Sequence, residues 1–423
     1  MPHAASGPPP ATHVGYLVSR FPSLTETFVL RELDAVAADG RVRVSLLSLF
    51  PPLDRTTQPG AAPWLPGLHR PGPAAVAGAT LRLLRRRPTA LAGILLRVLR
   101  DHGRDPRVLV KALVTATVAV AHAERVRDAG IEHLHAHFAA MPALAAWTVH
   151  RLTGIPYSVT PHAHDIFVHR LGLRRRLAAA SFVVAISGFH RTVLARLGAR
   201  PERLPLVPMG IDLGEHVYAP RERARDRPPT LLMVSSFRAY KGHRVLVEAL
   251  ADPRLRSVRA ELVGAGPLEQ EIRRRVREAG LEGRVRFAGP LPAAGVRARI
   301  AAADVLVQPS LIGPDGDTEG LPTTLVEGAA CGIALVATRV AGVPDLVREG
   351  VTGMLAEPDD PRSLADALVR SLAQDDAELE RTRRAAREHV EQHHDGRRAA
   401  RALVDWFLAG TAIGAPGGPA PHA

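Results

Sequence analysis

The chain has 423 residues, 46% of them hydrophobic, and carries a formal net charge of +13. Such a length exceeds one ordinary core and implies two domains, and a single cysteine, Cys331, excludes an internal disulfide and a cysteine-built metal framework. The charge suggests nucleic acid. Yet Lys111 and Lys241 are the only lysines and asparagine is absent, so the arginine surplus reads as codon bias, and no RNP, zinc-finger or helix-turn-helix pattern accompanies it.

Residues 1–13 are Pro/Ala-rich and lack the basic-then-apolar order of a signal peptide. A strand is expected at 14–18, then an amphipathic helix with Phe28, Val29, Leu33 and Val36 on one face, then a strand at 42–49, which together open a βαβ unit. Before the helix, Ser23, Thr25 and Thr27 offer hydroxyls to a phosphate or acceptor. Capping by Thr25, with Phe21 and Phe28 packing around it, accounts for them equally well. Residues 66–130 form a helical insertion in which apolar positions alternate with Arg85, Arg86, Arg87, Arg97, Arg100, Arg104, Arg107 and Lys111. Helices of this kind either lie on a membrane surface or present a solvated arginine face. The uncharged run 112–123 is too short to span a bilayer.

Strands follow at 131–140, with His135 and His137, and at 156–167, with His162 and His164. Four histidines near strand ends suggest a metal, but no carboxylate or cysteine set accompanies them, and no metal is assigned. Two further αβ steps, 181–187 and 204–212, complete the first domain, and a polar, proline-bounded linker covers 213–229.

Beyond it, strands at 230–235, 259–263, 284–288 and 304–307 alternate with helices at 242–250, 267–279 and 296–303. This is the pattern of a parallel sheet whose ligands bind at the carboxyl ends of its strands. Lys241 and the turn Gly264-Ala265-Gly266-Pro267 stand at such ends. The fourth strand opens into a Gly/Pro/Asp loop and then a helix at 323–330, begun after Pro322. The first amides of that helix, at Thr323, Thr324 and Leu325, lack intrahelical partners, and with the macrodipole they suit a phosphate. Glu319 before the helix and Glu327 in its second turn flank the same place with carboxylates that accept hydrogen bonds from hydroxyls. Asp315-Gly316-Asp317 reads as turn chemistry. Helices at 361–373 and on to His394 follow, and 397–408 resumes with Ala400, Leu403, Val404 and Phe407 on one face.

The segment EGLPTTLVEGAACGIALVATRVAGVPDLVREGVTGMLAEP resembles the nucleotide-sugar site of retaining glycosyltransferases of family 4, and FPSLTETFVLREL resembles their colanic-acid/exopolysaccharide branch. The resemblance implies an α/β GT-B fold, two Rossmann-like doubly wound domains facing across a cleft. Residues 1–212, with the basic insertion at about 66–130, would take the acceptor, and 230–395 the nucleotide sugar. A helix at 396–410 would cross back, followed by a flexible end at 411–423.

By the same resemblance, Glu319 contacts donor sugar hydroxyls, Glu327 the ribose and Lys241 the diphosphate. Ser236 stands where relatives carry arginine, and Arg238 is the candidate replacement. Gly264 and Gly266 border the nucleotide, the backbone at Gly289 reads the base, and Gly320 belongs to the GD-x-EG pattern. TPHAHD places His162 as the active-site histidine, with His164 in reserve. Gly210 and Asp212 match a motif at the crossing between domains.

The implied activity is retaining transfer from a nucleotide-diphosphate sugar to a saccharide or lipid-linked acceptor in exopolysaccharide synthesis. No metal, cofactor or nucleic-acid partner is expected. The implied location is the cytoplasm, with peripheral contact at the inner face of the plasma membrane. The alternatives are a non-hydrolysing sugar-nucleotide epimerase and a basic membrane- or nucleic-acid-binding protein with an inactive site.

Overall fold

The structure, a computed structural model, describes residues 12–23, 26–53, 59–168, 170–220 and 226–414. Thr25, residues 221–225 of the expected linker and the tail beyond 414 lie outside them. Two compact units make up the chain, the first comprising residues 1–185, 191–210 and 396–423 and the second residues 186–190 and 211–395. Residues 186–190 therefore leave the first unit for the second, a crossing that no shift in composition marks.

The first unit runs β1 (Thr12–Arg20), α1 (Thr27–Asp39), β2 (Val42–Phe50), α2 (Pro73–Arg86), α3 (Pro88–His102), α4 (Pro106–Asp128), β3 (His133–His137), α5 (Met141–Thr153), β4 (Tyr157–Thr160), α6 (Ala163–Phe167), α7 (Leu173–Ala179), β5 (Phe182–Val183) and α8 (Gly188–Arg196), which starts in the second unit. The second runs β6 (Thr230–Val234), α9 (His243–Ala249), β7 (Arg259–Val263), α10 (Glu269–Glu278), β8 (Val285–Gly289), α11 (Ala293–Ala302), β9 (Val305–Gln308), α12 (Thr323–Cys331), β10 (Ala334–Thr338), α13 (Val343–Leu346), β11 (Met354–Ala356), α14 (Pro361–Ala373) and α15 (Asp376–His393). The closing helix α16 (Gly396–Gly414) returns to the first unit.

All pairings in the first sheet, ordered β2-β1-β3-β4-β5, are parallel. Strand side chains alternate between faces, so Val14, Tyr16 and Val18 enter a core with α1 and α16, while Leu17 enters another with α4 and α5. Phe407 of α16 is wholly buried in the former, which contributes about 2–3 kcal/mol. Arg41 Nη1 also meets Asp405 Oδ1 at 2.6 Å. Asp105 caps α4 by accepting from the amides of Arg107 and Val108 at 3.0 and 3.2 Å. The helix extends past the uncharged run 112–123 at both ends and is, among the described residues, the one helix long and apolar enough to cross a membrane. Half of its apolar window is buried, and it packs against α2, α3 and α5.

Two expected strands are corrected. The 156–167 strand stops at Thr160, because Pro161 has no amide to continue the ladder and the chain turns into α6. Residues 204–212 form no strand, and Leu206 makes only an isolated bridge with Ala185.

The second sheet, ordered β11-β10-β9-β6-β7-β8, is also wholly parallel. From β6 the chain works outward to β7 and β8, then returns to β6's other side as β9. The order reverses there, and the loops after β6 and β9 bracket the switch point at which such sheets bind ligands. Both faces are covered, with Leu231 and Met233 in one core and Leu232 in the other.

Candidate active site

Lys241 lies in the short turn after β6, and its ammonium bonds the Glu319 carboxylate, four residues before α12. Both side chains are nearly buried, at 16% and 11% exposure. Burial by itself would lower the lysine pKa. The Glu319 carboxylate outweighs it, with help from Tyr240 and Asp317, and the net direction is upward. The Lys241 Nζ also sits 5.1 Å from the Tyr240 ring centroid.

Backbone contacts hold this arrangement. A Cβ on Gly242 would stand 1.7 Å from the Pro309 carbonyl oxygen, and its φ of +77° already favours glycine. Leu311 donates its amide to the Tyr240 carbonyl at 2.8 Å. Inside the loop, Thr318 Oγ1 donates to the Leu311 carbonyl at 3.1 Å, Gln308 Nε2 to Ser310 Oγ at 2.9 Å, and Thr338 Oγ1 to the Ser310 carbonyl. Asp315 and Asp317 close the turn, accepting from the amides of Asp317 and Thr318, each at 3.1 Å. Tyr240, Gly242, Thr318 and Thr338 were not anticipated as supports. Their only signal is small or polar residues beside β-strand ends.

Helix α12 starts at Thr323 after Pro322 and ends at Gly332 in the left-handed region. Glu327 is buried, while Thr323 and Thr324 are half-buried. Leu325 departs from expectation, because its amide is occupied by the Pro322 carbonyl at 3.1 Å, which leaves Thr323 and Thr324 as the open amides by helix geometry.

Gly264 and Gly266 lie against the loop after β6, where a Cβ would reach within 2.1 Å of the Ser235 carbonyl oxygen and 2.6 Å of the Phe237 nitrogen. Their immediate role is close backbone approach. Gly289, at φ +71°, accepts the Gly264 amide at 2.9 Å. The Gly320 carbonyl accepts from Gly342 at 2.8 Å, and a Cβ there would meet the His190 ring at 3.3 Å. Arg238 is exposed.

His162 belongs to the first unit. Its ring stands between Phe28 and Phe138, with centroids at 4.7 and 4.6 Å. Phe138 holds φ +75°, a left-handed conformation costing roughly 1–2 kcal/mol outside glycine. Asp165 ties β3 to the start of α6, its Oδ2 accepting from the amides of Ala139 and His162 at 2.7 and 3.2 Å. His162 Nε2 is 3.3 Å from His137 Nδ1, and His137 Nε2 is 2.9 Å from Glu32 Oε1. Nothing is described of the His164 side chain.

The expectation that no carboxylate joins the histidines is corrected. Helix α1 delivers Glu32, with its Oε1 3.6 Å from His135 Nε2, and one ligand atom each of Glu32, His135 and His137 lies within 4.8 Å of the others. These three could hold a metal ion. Glu32 was legible only as the residue four beyond Phe28, on the same helix face.

Two family models match in succession, "Glycosyltransferase Family 4" over residues 26–215 and "Glycosyl transferases group 1" over 228–374. The chain is 32% identical over 212 residues to the putative colanic acid biosynthesis glycosyltransferase WcaL of Salmonella typhimurium, covering 50% of this chain and 52% of that protein. To the amylovoran biosynthesis glycosyltransferase AmsK of Erwinia amylovora it is 29% identical over 244 residues, covering 57% and 60%. It thus spans about half the length of these curated relatives. HepE of Anabaena, solved in complex with UDP and glucose, superposes with a TM-score of 0.68 at 18% identity over 94% of this chain and 99% of that one. Sucrose-phosphate synthase of Thermosynechococcus elongatus gives 0.70 at 20% identity over 94% and 98%. At such identities the likeness establishes the fold, GT-B.

Proposed function

The chain belongs to the glycosyltransferases described by those two consecutive family models, and from that premise we propose that it transfers a sugar, with retention, from a nucleotide diphosphate to a saccharide or lipid-linked acceptor in exopolysaccharide synthesis. The observation that carries the reading is Lys241, one of two lysines in the chain, folded onto Glu319 beside the sheet's switch point. A diphosphate at the start of α12 takes the amides of Thr323 and Thr324 and shares the Lys241 ammonium with Glu319, while Glu327 accepts from the ribose. Arg238, exposed on the turn that carries Lys241, is free to reach the phosphate in place of the arginine that Ser236 replaces.

Transfer breaks the anomeric C–O bond to phosphate and forms one to the acceptor on the same face. The acceptor's proton passes to the departing diphosphate, whose growing charge the helix amides and Lys241 stabilise. His162 contacts the sugar. The reaction requires no metal and takes place in the cytoplasm.

For the membrane part of this reading, the support is the insertion. Helices α2, α3 and α4 pack on one another, and each leaves a pair of apolar side chains exposed: Leu81 and Leu84, Leu96 and Leu99, Val110 and Val114. Exposed Arg85, Arg86, Arg100, Arg104, Arg107 and Lys111 surround them in sequence. Apolar insertion beside cations fits an anionic lipid surface.

The test is NMR of products from a panel of UDP-, GDP- and dTDP-sugars with a saccharide acceptor, repeated with Glu327→Ala. Acceptor-dependent release of nucleotide diphosphate with retained configuration supports transfer, and acceptor-independent epimerisation refutes it. Glu327→Ala is expected to abolish turnover while leaving thermal unfolding unchanged, and full transfer by that variant refutes the site.

A further inference from the structure

We propose that Tyr240 is a positioning residue whose ring face holds the Lys241 ammonium in place for the diphosphate of the donor. The inference rests on the reading of Lys241 as a diphosphate ligand and deepens it by naming what keeps that charge where it is needed. Nζ of Lys241 lies over the Tyr240 ring, 5.1 Å from its centroid. A cation within roughly 6 Å of such a centroid is attracted by the negative face of the ring, and more strongly where water is excluded. The Lys241 side chain is nearly buried, so the second condition is met as well.

Residues next to each other in a helical turn ordinarily point to different sides. In the short turn Ala239–Lys241 the lysine instead folds back over its neighbour's ring. The loop after β9 holds Tyr240 from its own side. Leu311 donates its amide to the Tyr240 carbonyl at 2.8 Å, and a Cβ on Gly313 would stand 3.5 Å from the Tyr240 Cβ. That loop is itself tightly closed, with the Gly313 amide donating to the Asp317 carbonyl at 2.7 Å and the Gly316 amide to the Gly313 carbonyl at 2.9 Å. It also carries Glu319, so the ring, the ammonium and the carboxylate are all set by the ends of β6 and β9. Burial raises the Tyr240 phenol above its ordinary value, which keeps the ring neutral.

The two neighbours of the ammonium differ in effect. Glu319 accepts a hydrogen bond and offsets the positive charge. The ring attracts the charge without offsetting it, and it leaves N–H donors of the ammonium for phosphate oxygens. A second carboxylate in the ring's place would make the cluster negative and repel a phosphate. A purely aliphatic wall would leave the ammonium to Glu319 alone. An aromatic face is the chemistry that keeps Lys241 between its carboxylate and an incoming diphosphate.

Calorimetric titration of the full chain with UDP, GDP and dTDP tests this, using phenylalanine and progressively fluorinated phenylalanines at position 240. Fluorination drains the negative face of the ring while nearly preserving its shape, so folding is not at stake. For each diphosphate that the wild-type chain binds, Tyr240→Phe should bind as the wild type does, and affinity should fall stepwise with fluorination. Tyr240→Leu, which removes the ring, should lose roughly five- to thirty-fold in affinity, the range of a desolvated cation–ring contact. A flat fluorination series overturns the positioning role, and so does a loss in Tyr240→Phe as large as in Tyr240→Leu, which would assign the effect to the hydroxyl. If the wild type binds none of the three diphosphates, the donor site itself is refuted and the proposal falls with it. Wild-type binding that Tyr240→Leu leaves unchanged removes only the role of Tyr240.

Discussion

Two buried polar clusters, one in each unit, are built on opposite principles. In the second unit Lys241 and Glu319 face each other as full charges brought in on loops after β6 and β9. In the first, Glu32, His137 and His162 form a line in which one carboxylate faces rings carried by a strand and the start of a helix. The ion pair is sustained by Coulomb attraction after costly desolvation, so losing either partner leaves an uncompensated buried charge. The ring line is sustained by its short polar contacts and by the aromatic walls of Phe28 and Phe138. Paired charge holds the one in place and ring packing the other, and perturbations should separate them.

Acid should have the largest effect, and it should fall on the first unit. Burial pushes His122 and His133 each down to about 3, and lowers His13, His69, His102 and His135 as well. The second unit has three such rings, with His243 lowered to about 3 and His190 and His389 to about 4. These histidines stay neutral in the fold, whereas the unfolded chain protonates near 6.5. Stability is therefore full above that pH and is lost as pH falls toward 3, at up to about 1.4 kcal/mol per pH unit for each ring. Trp64, Trp147 and Trp406 all belong to the first unit, so tryptophan emission reports it selectively. Emission should change at a higher pH than far-UV circular dichroism as a whole, and coincident transitions would contradict the comparison.

Next in size is Lys241→Ala, expected to cost about 3–5 kcal/mol by stranding Glu319. Adding Glu319→Gln should recover part of that loss in guanidinium unfolding, and a purely additive pair would show that the two charges are not coupled. Two glycines give the smallest and most local contrast. Gly289→Ala meets nothing within 4 Å and should cost only the roughly 1–2 kcal/mol of a left-handed residue. Gly242→Ala must in addition displace the Pro309 carbonyl, so its loss should be clearly larger. Equal thermal shifts would mean that the loop after β9 yields freely.

Much of the second unit is legible in the sequence. Alternating strands and helices, Pro322 at the start of α12, Gly332 at its end and the spacing of Glu319 and Glu327 are local facts. Backbone amides, dipole direction and turn conformation are dictated by residues within a few positions of one another. The resemblance that named Lys241 rests on the same locality. Even there, the capture of the Leu325 amide by Pro322 could not be read, since it depends on how tightly the first turn closes.

In the first unit, local reasoning recovered β1, α1 and β2 but mistook 161–167 for strand and saw the histidines without a carboxylate. Glu32 lies 105 residues from His137 in the chain and meets it because β1 and β3 are neighbours and α1 covers their shared face. Nothing in the spacing of either residue encodes that meeting. The sequence by itself determined which segments become helix or strand and which backbone groups stay open at their ends, because those depend on neighbours along the chain. Tertiary structure alone decided which side chains face each other, because that depends on strand order and on burial, which strips away the water that would otherwise satisfy each group separately.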